Sequence, residues 1–225
     1  MGWSSSVSVW EQFRMLKIIL KRLKPQAEKI IAEKQAGFRA YRCTTGQIVN
    51  LSIPCEKYLQ HQQDLYHVFI DFKKAFDRVW QAALWGTIKK YNISTNLIQV
   101  IKKLYDKAAS AVLFNGSVGD RFRTKVRVRQ GCLPSPTLFN IFLKSIITDA
   151  VEDHEGTVSI GGRTIINLRL ADDIDGLAGE EQELAKFVEC LDKASTAYSI
   201  EISAKKTKLM TNNTSDINKE IKVNG

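Results

Sequence analysis

Three aspartates stand where strand-like runs end or turn. Asp71 closes the aromatic and β-branched run YHVFIDF at residues 66–72, and Asp172-Asp173 separate two apolar runs at residues 163–170 and 174–178. A lone acid at a strand end is usually a turn or helix cap. Two such sites, each flanked by hydrophobic residues that would bury the acid at a cost, call for another explanation. Carboxylates on different strands of one sheet can converge on one edge. There they could hold two divalent metals about 4 Å apart, the arrangement that lets one hydroxyl attack a phosphorus while a second charged oxygen leaves.

The elements that would position these acids follow from periodicity. Apolar residues Phe13, Leu16, Leu20 and Leu23, then Ile30 and Ile31, recur at helical spacing, and Pro25 predicts a division into two helices. Residues 66–72 form a buried strand, followed by helices over residues 84–91 and on the face of Leu97, Ile98, Ile101, Leu104 and Tyr105. Residues 111–114 and 121–128 are expected as strands joined by the turn-rich NGSVGD. Ser135 before Pro136 predicts a helix with Ser as N-cap, running to about Glu155 and ended by Gly156. Strands at residues 157–160, 163–170 and 174–178 place the paired acids at a hairpin turn, and Leu184, Phe187, Val188, Leu191 and Tyr198 mark one more helix. Residues 199–202 and 208–211 are expected to pair as edge strands, and residues 211–218 (TNNTSDIN) as a polar turn region. The order from Tyr66 onward approximates a split βαβ core, so the class is α+β.

Charge is divided along the chain. The net charge is +9; residues 66–130 hold thirteen Lys/Arg against four Asp/Glu, and residues 149–201 hold four against thirteen. A basic half suits a polyanion through counterion release, and a separate acidic half suits metal ions. The four cysteines show no metal-ligand spacing and are expected as reduced thiols of an intracellular protein, while no apolar run approaches a membrane span.

At larger scale the residues resemble the reverse transcriptases of LINE-type, non-LTR retrotransposons, most closely the RTE-like endonuclease–reverse transcriptase elements. Residues 35–48 (QAGFRAYRCTTGQI) are similar to the fingers motif. Residues 68–79 (VFIDFKKAFDRV) and 128–143 (VRQGCLPSPTLFNIFL) are similar to the first two palm motifs, 167–179 (NLRLADDIDGLAG) to the metal-binding hairpin, and 201–210 (EISAKKTKLM) to the motif after it. The resemblance covers about residues 15–225 in family order. It implies right-hand polymerase fingers and palm with the thumb missing: N-terminal helices and fingers at 1–65, and palm at 66–225 with inserted fingers elements at about 80–128.

The resemblance also implies roles. Asp71, Asp172 and Asp173 match the metal-binding triad for two Mg²⁺ or Mn²⁺ ions; Phe76 matches the aromatic beneath the incoming sugar, where a ring would clash with a 2′-hydroxyl. Gln130-Gly131 match the pair beside the nascent base pair, and Arg39 and Arg42 match fingers cations that face triphosphate or template. Lys206 matches the lysine that approaches the pyrophosphate. The implied partners are an RNA template, a DNA primer and deoxynucleoside triphosphates, and the implied site of action is nuclear. Two other readings remain open: a nucleic-acid-binding remnant of the same fold without catalysis, and an RNA-directed RNA polymerase sharing the palm.

The chain departs from the family pattern at several points. Arg127 and Tyr41 stand where Gly is usual, Pro134 where Leu or a similar residue is, Leu170 where an aromatic is, and Cys43 where Ser is. Arg127 and Tyr41 carry the largest expected consequence, because a side chain costs energy wherever the backbone needs positive φ.

Overall fold

The computed structural model describes residues 9–106, 109–152 and 154–212. In chain order its elements are α1 (Val9–Glu28), α2 (Thr44–Gln60), β1 (Tyr66–Ile70), α3 (Ala75–Arg78), α4 (Gln81–Lys90), α5 (Thr95–Asp106), β2 (Leu113–Phe114), β3 (Ser117–Val118), α6 (Ser135–Val151), β4 (Ser159–Ile160), β5 (Arg163–Thr164), β6 (Asn167–Leu170), β7 (Asp173–Ala178), α7 (Glu181–Ala197) and β8 (Lys208–Thr211).

Strand β1 has the aromatic and β-branched composition of a buried strand, and all but one of its residues are buried. It is central in a sheet ordered β6-β7-β1-β8, and every pairing is antiparallel. With α6 between β1 and β6, and α7 between β7 and β8, this is the ferredoxin-like split βαβ arrangement expected from the sequence. The main core lies on the face carrying Val68, Ile70 and Ile174, against Phe142 of α6 and Phe187 of α7. Helix α6 is apolar on nearly all sides because it packs against α7, α4 and α1 together. A second, smaller core of Tyr58, Leu65, Val158, Leu168 and Leu177 fills the space beneath α2.

Gly176 marks how closely helix and sheet approach. A Cβ there would lie 2.6 Å from the Phe187 ring and 2.9 Å from Val68, so a side chain would push α7 off the sheet.

Several boundaries differ from the sequence expectation. Pro25 does not divide the first helix but sits in the last turn of α1. The ring fits helical φ, and the bond it forgoes is to Lys21 on the exposed face. Helix α6 starts one residue early: the Pro134 carbonyl accepts from Leu138 N–H at 3.0 Å, and Ser135 makes no side-chain cap. The Ser135 hydroxyl is instead buried, 3.4 Å from the Tyr105 hydroxyl. The helix ends at Val151, short of Glu155. The second strand after residue 111 begins at Ser117 because Asn115 and Gly116 form a two-residue turn, with φ of 46° and 78°. Residues 121–128 make only single bridges, Phe122 to Ser110 and Val126 to Trp80. The run 163–170 breaks into β5 and β6, with Gly161-Gly162 turning β4 into β5. Finally, β8 pairs with β1 and not with residues 199–202, because β1 has a free edge that only an added strand can satisfy. Most of the polar region 211–218 lies outside the described residues.

Two of the departures from the family pattern fall where the backbone is left-handed: Tyr41 has φ 59° and Arg127 φ 81°. Arg127 gains a bond in return, donating to the Ser110 hydroxyl, whereas Tyr41 is fully exposed. A non-glycine residue in this region costs about 1–2 kcal/mol, and glycine gives back about 0.5–1 kcal/mol through its freer unfolded chain. Tyr41→Gly is therefore expected to raise thermal stability slightly, by up to about 1 kcal/mol, and Arg127→Gly by less. Melting curves of the two variants beside the unmodified chain check this; a lower melting temperature for Tyr41→Gly would overturn it.

Candidate active site

The β6–β7 hairpin pairs Leu170 with Asp173, so Ala171 and Asp172 alone make the turn, with Ala171 at φ 59°. Beside it, β1 pairs Ile70 with Ile174. The next residues outward are Asp71 on one strand and Asp173 on the other, and both leave the sheet at the same edge. Three carboxylates thus come from two strand ends, as the sequence suggested.

A fourth residue is brought in by the chain after α7. Ile202 bridges Phe72, Ser203 N–H donates to the Asp71 carbonyl at 2.8 Å, and Lys73 N–H donates to the Glu201 carbonyl at 2.8 Å. Salt bridges from Lys73 and Arg78 to the Glu201 carboxylate hold that carboxyl below its usual range. The turn that follows, with Lys206 and Thr207 N–H both on the Ser203 carbonyl, places the Lys206 Nζ 3.2 Å and 3.3 Å from the two Asp71 oxygens. Lys206 is 66% exposed, so this ion pair contributes at most about 1 kcal/mol.

Electrostatics tie the group together. Burial, then the charges of Asp172 and Asp71, push the Asp173 carboxyl above its ordinary range, and Lys206 offsets this only in part. A cavity of about 380 Å³ adjoins them, lined by Asp71, Asp173 and Lys206 and by apolar residues that include Ile48, Leu51 and Phe69. Asp175 also lines it, with a carboxyl raised by burial and His67 Nδ1 3.4 Å away. Cys55 Sγ lies 3.5 Å from the other His67 nitrogen, and burial raises its thiol.

The other sequence candidates stand in different surroundings. The Phe76 ring stacks on Phe139 at 4.3 Å and meets the edge of Phe38 at 6.3 Å, half-buried between α6 and the loop before α2. Gln130 and Gly131 are exposed in the turn before α6; Gly131 has φ 77°, and a Cβ there would meet nothing within 4 Å. Its glycine is therefore explained by backbone conformation, not by crowding from the protein. Arg42 is exposed and weakly paired with Glu33 at 3.4 Å. Arg39 is turned inward: only 9% exposed, it donates to Glu28 at 2.6 Å and to the carbonyls of Ala32 and Gln35.

A family model described as reverse transcriptase (RNA-dependent DNA polymerase) matches residues 11–224, nearly the whole chain. The chain belongs to the reverse transcriptase family. It is similar to the RNA-directed DNA polymerase from mobile element jockey of Drosophila funebris, at 30% identity over 131 residues, covering 56% of this chain and 14% of that protein. The jockey enzyme of Drosophila melanogaster is 24% identical over 85% of this chain and 21% of its own length. The Pol polyprotein of the R2 element from Popillia japonica is 27% identical over 48% of the chain and 18% of that protein. These relatives are non-LTR retrotransposon polymerases, in agreement with the LINE-type resemblance, and the chain spans about a fifth of their length or less. Among solved structures, apo telomerase from Candida tropicalis shares the fold with a TM-score of 0.73 at 17% identity, over 98% of this chain and 46% of that one. Telomerase from Candida albicans, solved with a fragment of telomeric RNA, matches with a TM-score of 0.66 at 14% identity, over 96% of this chain and 37% of that one. The fold of this reverse transcriptase chain is therefore that of polymerase fingers and palm.

Two residues of the site were not singled out in the sequence: Phe38, whose ring abuts Phe76, and Gln35, which is fully buried beside the carboxylate turn. The signal for both was their place in the QAGFR motif, but an apolar ring and an uncharged amide suggest no chemistry on their own.

The raised Asp173 carboxyl has a sign. A folded state that holds this proton more tightly than the unfolded chain loses stability as the pH rises through the raised value, and regains it as the pH falls. Asp173 is exposed to water, which screens its neighbours' charges, so in chelator at neutral pH Asp173→Asn is expected to raise the melting temperature only slightly, with the gain shrinking as the pH is lowered. Melting as a function of pH checks this; a variant less stable than the parent at neutral pH would overturn it.

Proposed function

We propose that this chain is the polymerising centre of an RNA-directed DNA polymerase, joining deoxynucleotides to a DNA primer 3′-hydroxyl on an RNA template. The observation that carries the proposal is the convergence of Asp71, Asp172, Asp173 and Lys206 at one edge of a split βαβ sheet.

The donor set suits hard divalent cations. All three candidate ligands are carboxylates, and Asp173 is destabilised in its charged form by burial and then by its two neighbours, with only a solvent-exposed lysine to offset them. Among the described residues no three such side chains are gathered tightly enough to enclose an ion as they stand. Asp71, Asp172 and Asp173 would hold two Mg²⁺ or Mn²⁺ ions, which when bound supply activation of the attacking hydroxyl and neutralisation of the leaving pyrophosphate.

The remaining roles belong to the chain's own groups. Lys206 is long and exposed enough to leave Asp71 and give a proton to the departing pyrophosphate oxygen. Phe76, braced by Phe139, offers a rigid ring against the sugar, so a 2′-hydroxyl would meet a wall that cannot recede. Arg42, exposed and held only by a long contact to Glu33, can turn to meet phosphate as a bidentate donor, whereas Arg39 serves the fold by clamping Glu28. Gln130-Gly131 present an open, left-handed turn to the nascent pair. The division into fingers (1–65 and about 80–128) and palm (66–225), and nuclear action at a chromosomal target, belong to the same reading. No helix among the described residues is long and apolar enough to cross a membrane.

The deciding experiment is primer extension on an RNA template with Mg²⁺ or Mn²⁺, at high protein concentration, beside Asp172→Asn and a binding assay. Extension by the unmodified chain alone, reduced by Asp172→Asn at least about 10³-fold, is the expected result; loss of one metal ligand removes several kcal/mol of transition-state stabilisation. Tight binding with no extension would favour a nucleic-acid-binding remnant. Phe76→Val is expected to raise ribonucleotide incorporation relative to deoxynucleotide by about tenfold or more, the value of one relieved steric contact of 1–3 kcal/mol. Equal use of both sugars by the unmodified chain would sink the gate and favour an RNA polymerase.

A further inference from the structure

Gln35 has no place in the chemistry above, yet it is only 1% exposed and lies against the turn that carries two of the three carboxylates. Residues 34–37 run parallel to β6. Ala36 N–H donates to the Arg169 carbonyl at 2.9 Å, and Arg169 N–H donates to the Lys34 carbonyl at 3.0 Å. Beyond Arg169 the hairpin turns away and backbone pairing cannot continue. The Gln35 side chain takes over: Nε2 donates to the Ala171 carbonyl at 2.9 Å, and Oε1 accepts from Ala171 N–H at 3.0 Å and from Gly37 N–H at 2.9 Å. A primary amide that both gives to and takes from one residue offers what a facing strand would offer.

The surroundings leave this amide little freedom. A Cβ on Gly37 would lie 2.1 Å from Ala171 N, so the two backbones abut. Asn140 Nδ2 donates to the Gly37 carbonyl at 2.8 Å, and Gln47 Nε2 donates to the carbonyls of Lys34 and Arg169 at 2.8 Å and 2.7 Å. Ala171 itself holds a left-handed φ of 59°, which costs an alanine about 1–2 kcal/mol and persists only where neighbours enforce it. The side chains that reach Ala171, Gly37 and the Arg169 carbonyl are uncharged amides, those of Gln35, Asn140 and Gln47. A cation in their place would be drawn toward Asp172 and Asp173 and would compete with a metal.

We propose that Gln35 is the positioning residue of the carboxylate turn: its amide locks Ala171 and thereby sets the direction of Asp172 and Asp173. The lock stands on geometry alone, and its catalytic consequence rests on the polymerase reading.

Gln35→Met keeps the length and apolar stem and removes the amide. Hydrogen exchange at the Ala171 N–H is expected to accelerate about tenfold or more, since this amide loses its acceptor. In primer extension kcat is expected to fall about tenfold or more, with KM for template–primer within about twofold and the Mn²⁺ concentration for half-maximal rate raised several-fold. Gln35→Leu, which also removes the amide without adding a charge beside Asp172 and Asp173, carries the same comparison if Gln35→Met does not fold. Unchanged exchange at Ala171 in a folded variant overturns the lock. Faster exchange with unchanged kcat and metal dependence overturns the positioning role. If the unmodified chain extends nothing, the polymerase reading fails by itself. The exchange result then still supports or overturns the lock.

Discussion

Like charges gathered at one edge of a sheet are the constraint on which this structure depends. Asp71, Asp172 and Asp173 repel one another, and with partial burial, the larger cause, this repulsion raises the Asp173 carboxyl. A chain keeps such a cluster only if the strands beneath it cannot move apart. The pairing of β1 with β7 supplies that, because both strands are buried on the helix side against α6 and α7 and their backbone bonds have no water to exchange with. The close approach at Gly176 shows how little slack the sheet has.

The two covers of the sheet do different work. On one side α6 and α7 form the main core, and Phe139 extends that core outward until it supports Phe76 beside the site. On the other side α2 covers only part of the surface, leaving a cavity next to the carboxylates with Asp175 and His67 buried below. Helix α2 begins at Cys43, whose sulfur accepts from Gly46 N–H at 3.4 Å, a weaker cap than the serine of the family pattern. Rigidity is thus concentrated behind the carboxylates, and open space in front of them.

The site is also assembled from distant segments. The Gly37 loop, the hairpin turn and the Ser203–Thr207 hydrogen-bonded turn meet around residues far apart in sequence; the first two are joined by backbone groups and the Gln35 amide, and the third is joined to the residues after β1 by backbone bonds and ion pairs. Arg39 illustrates the economy of this arrangement: a cation expected to face phosphate is instead spent on holding the loop to Glu28 and two carbonyls.

The sequence by itself showed the α+β class, a split βαβ element order, acids at strand ends and turns, and the family, because strands, helices and charged motifs are local patterns whose periodicity and chemistry do not depend on distant partners. It also located the left-handed positions at Tyr41 and Arg127, through residues that replace glycine. What only the tertiary structure decided was partnership. Pro25 could stay within a helix because its lost bond faced outward, β8 chose β1 because β1 had a free edge, and Arg39 turned inward because Glu28 was in reach. Gln35 and Phe38 became part of the site for the same reason. An amide and a ring carry no signature of their task until the chain that folds against them is in place.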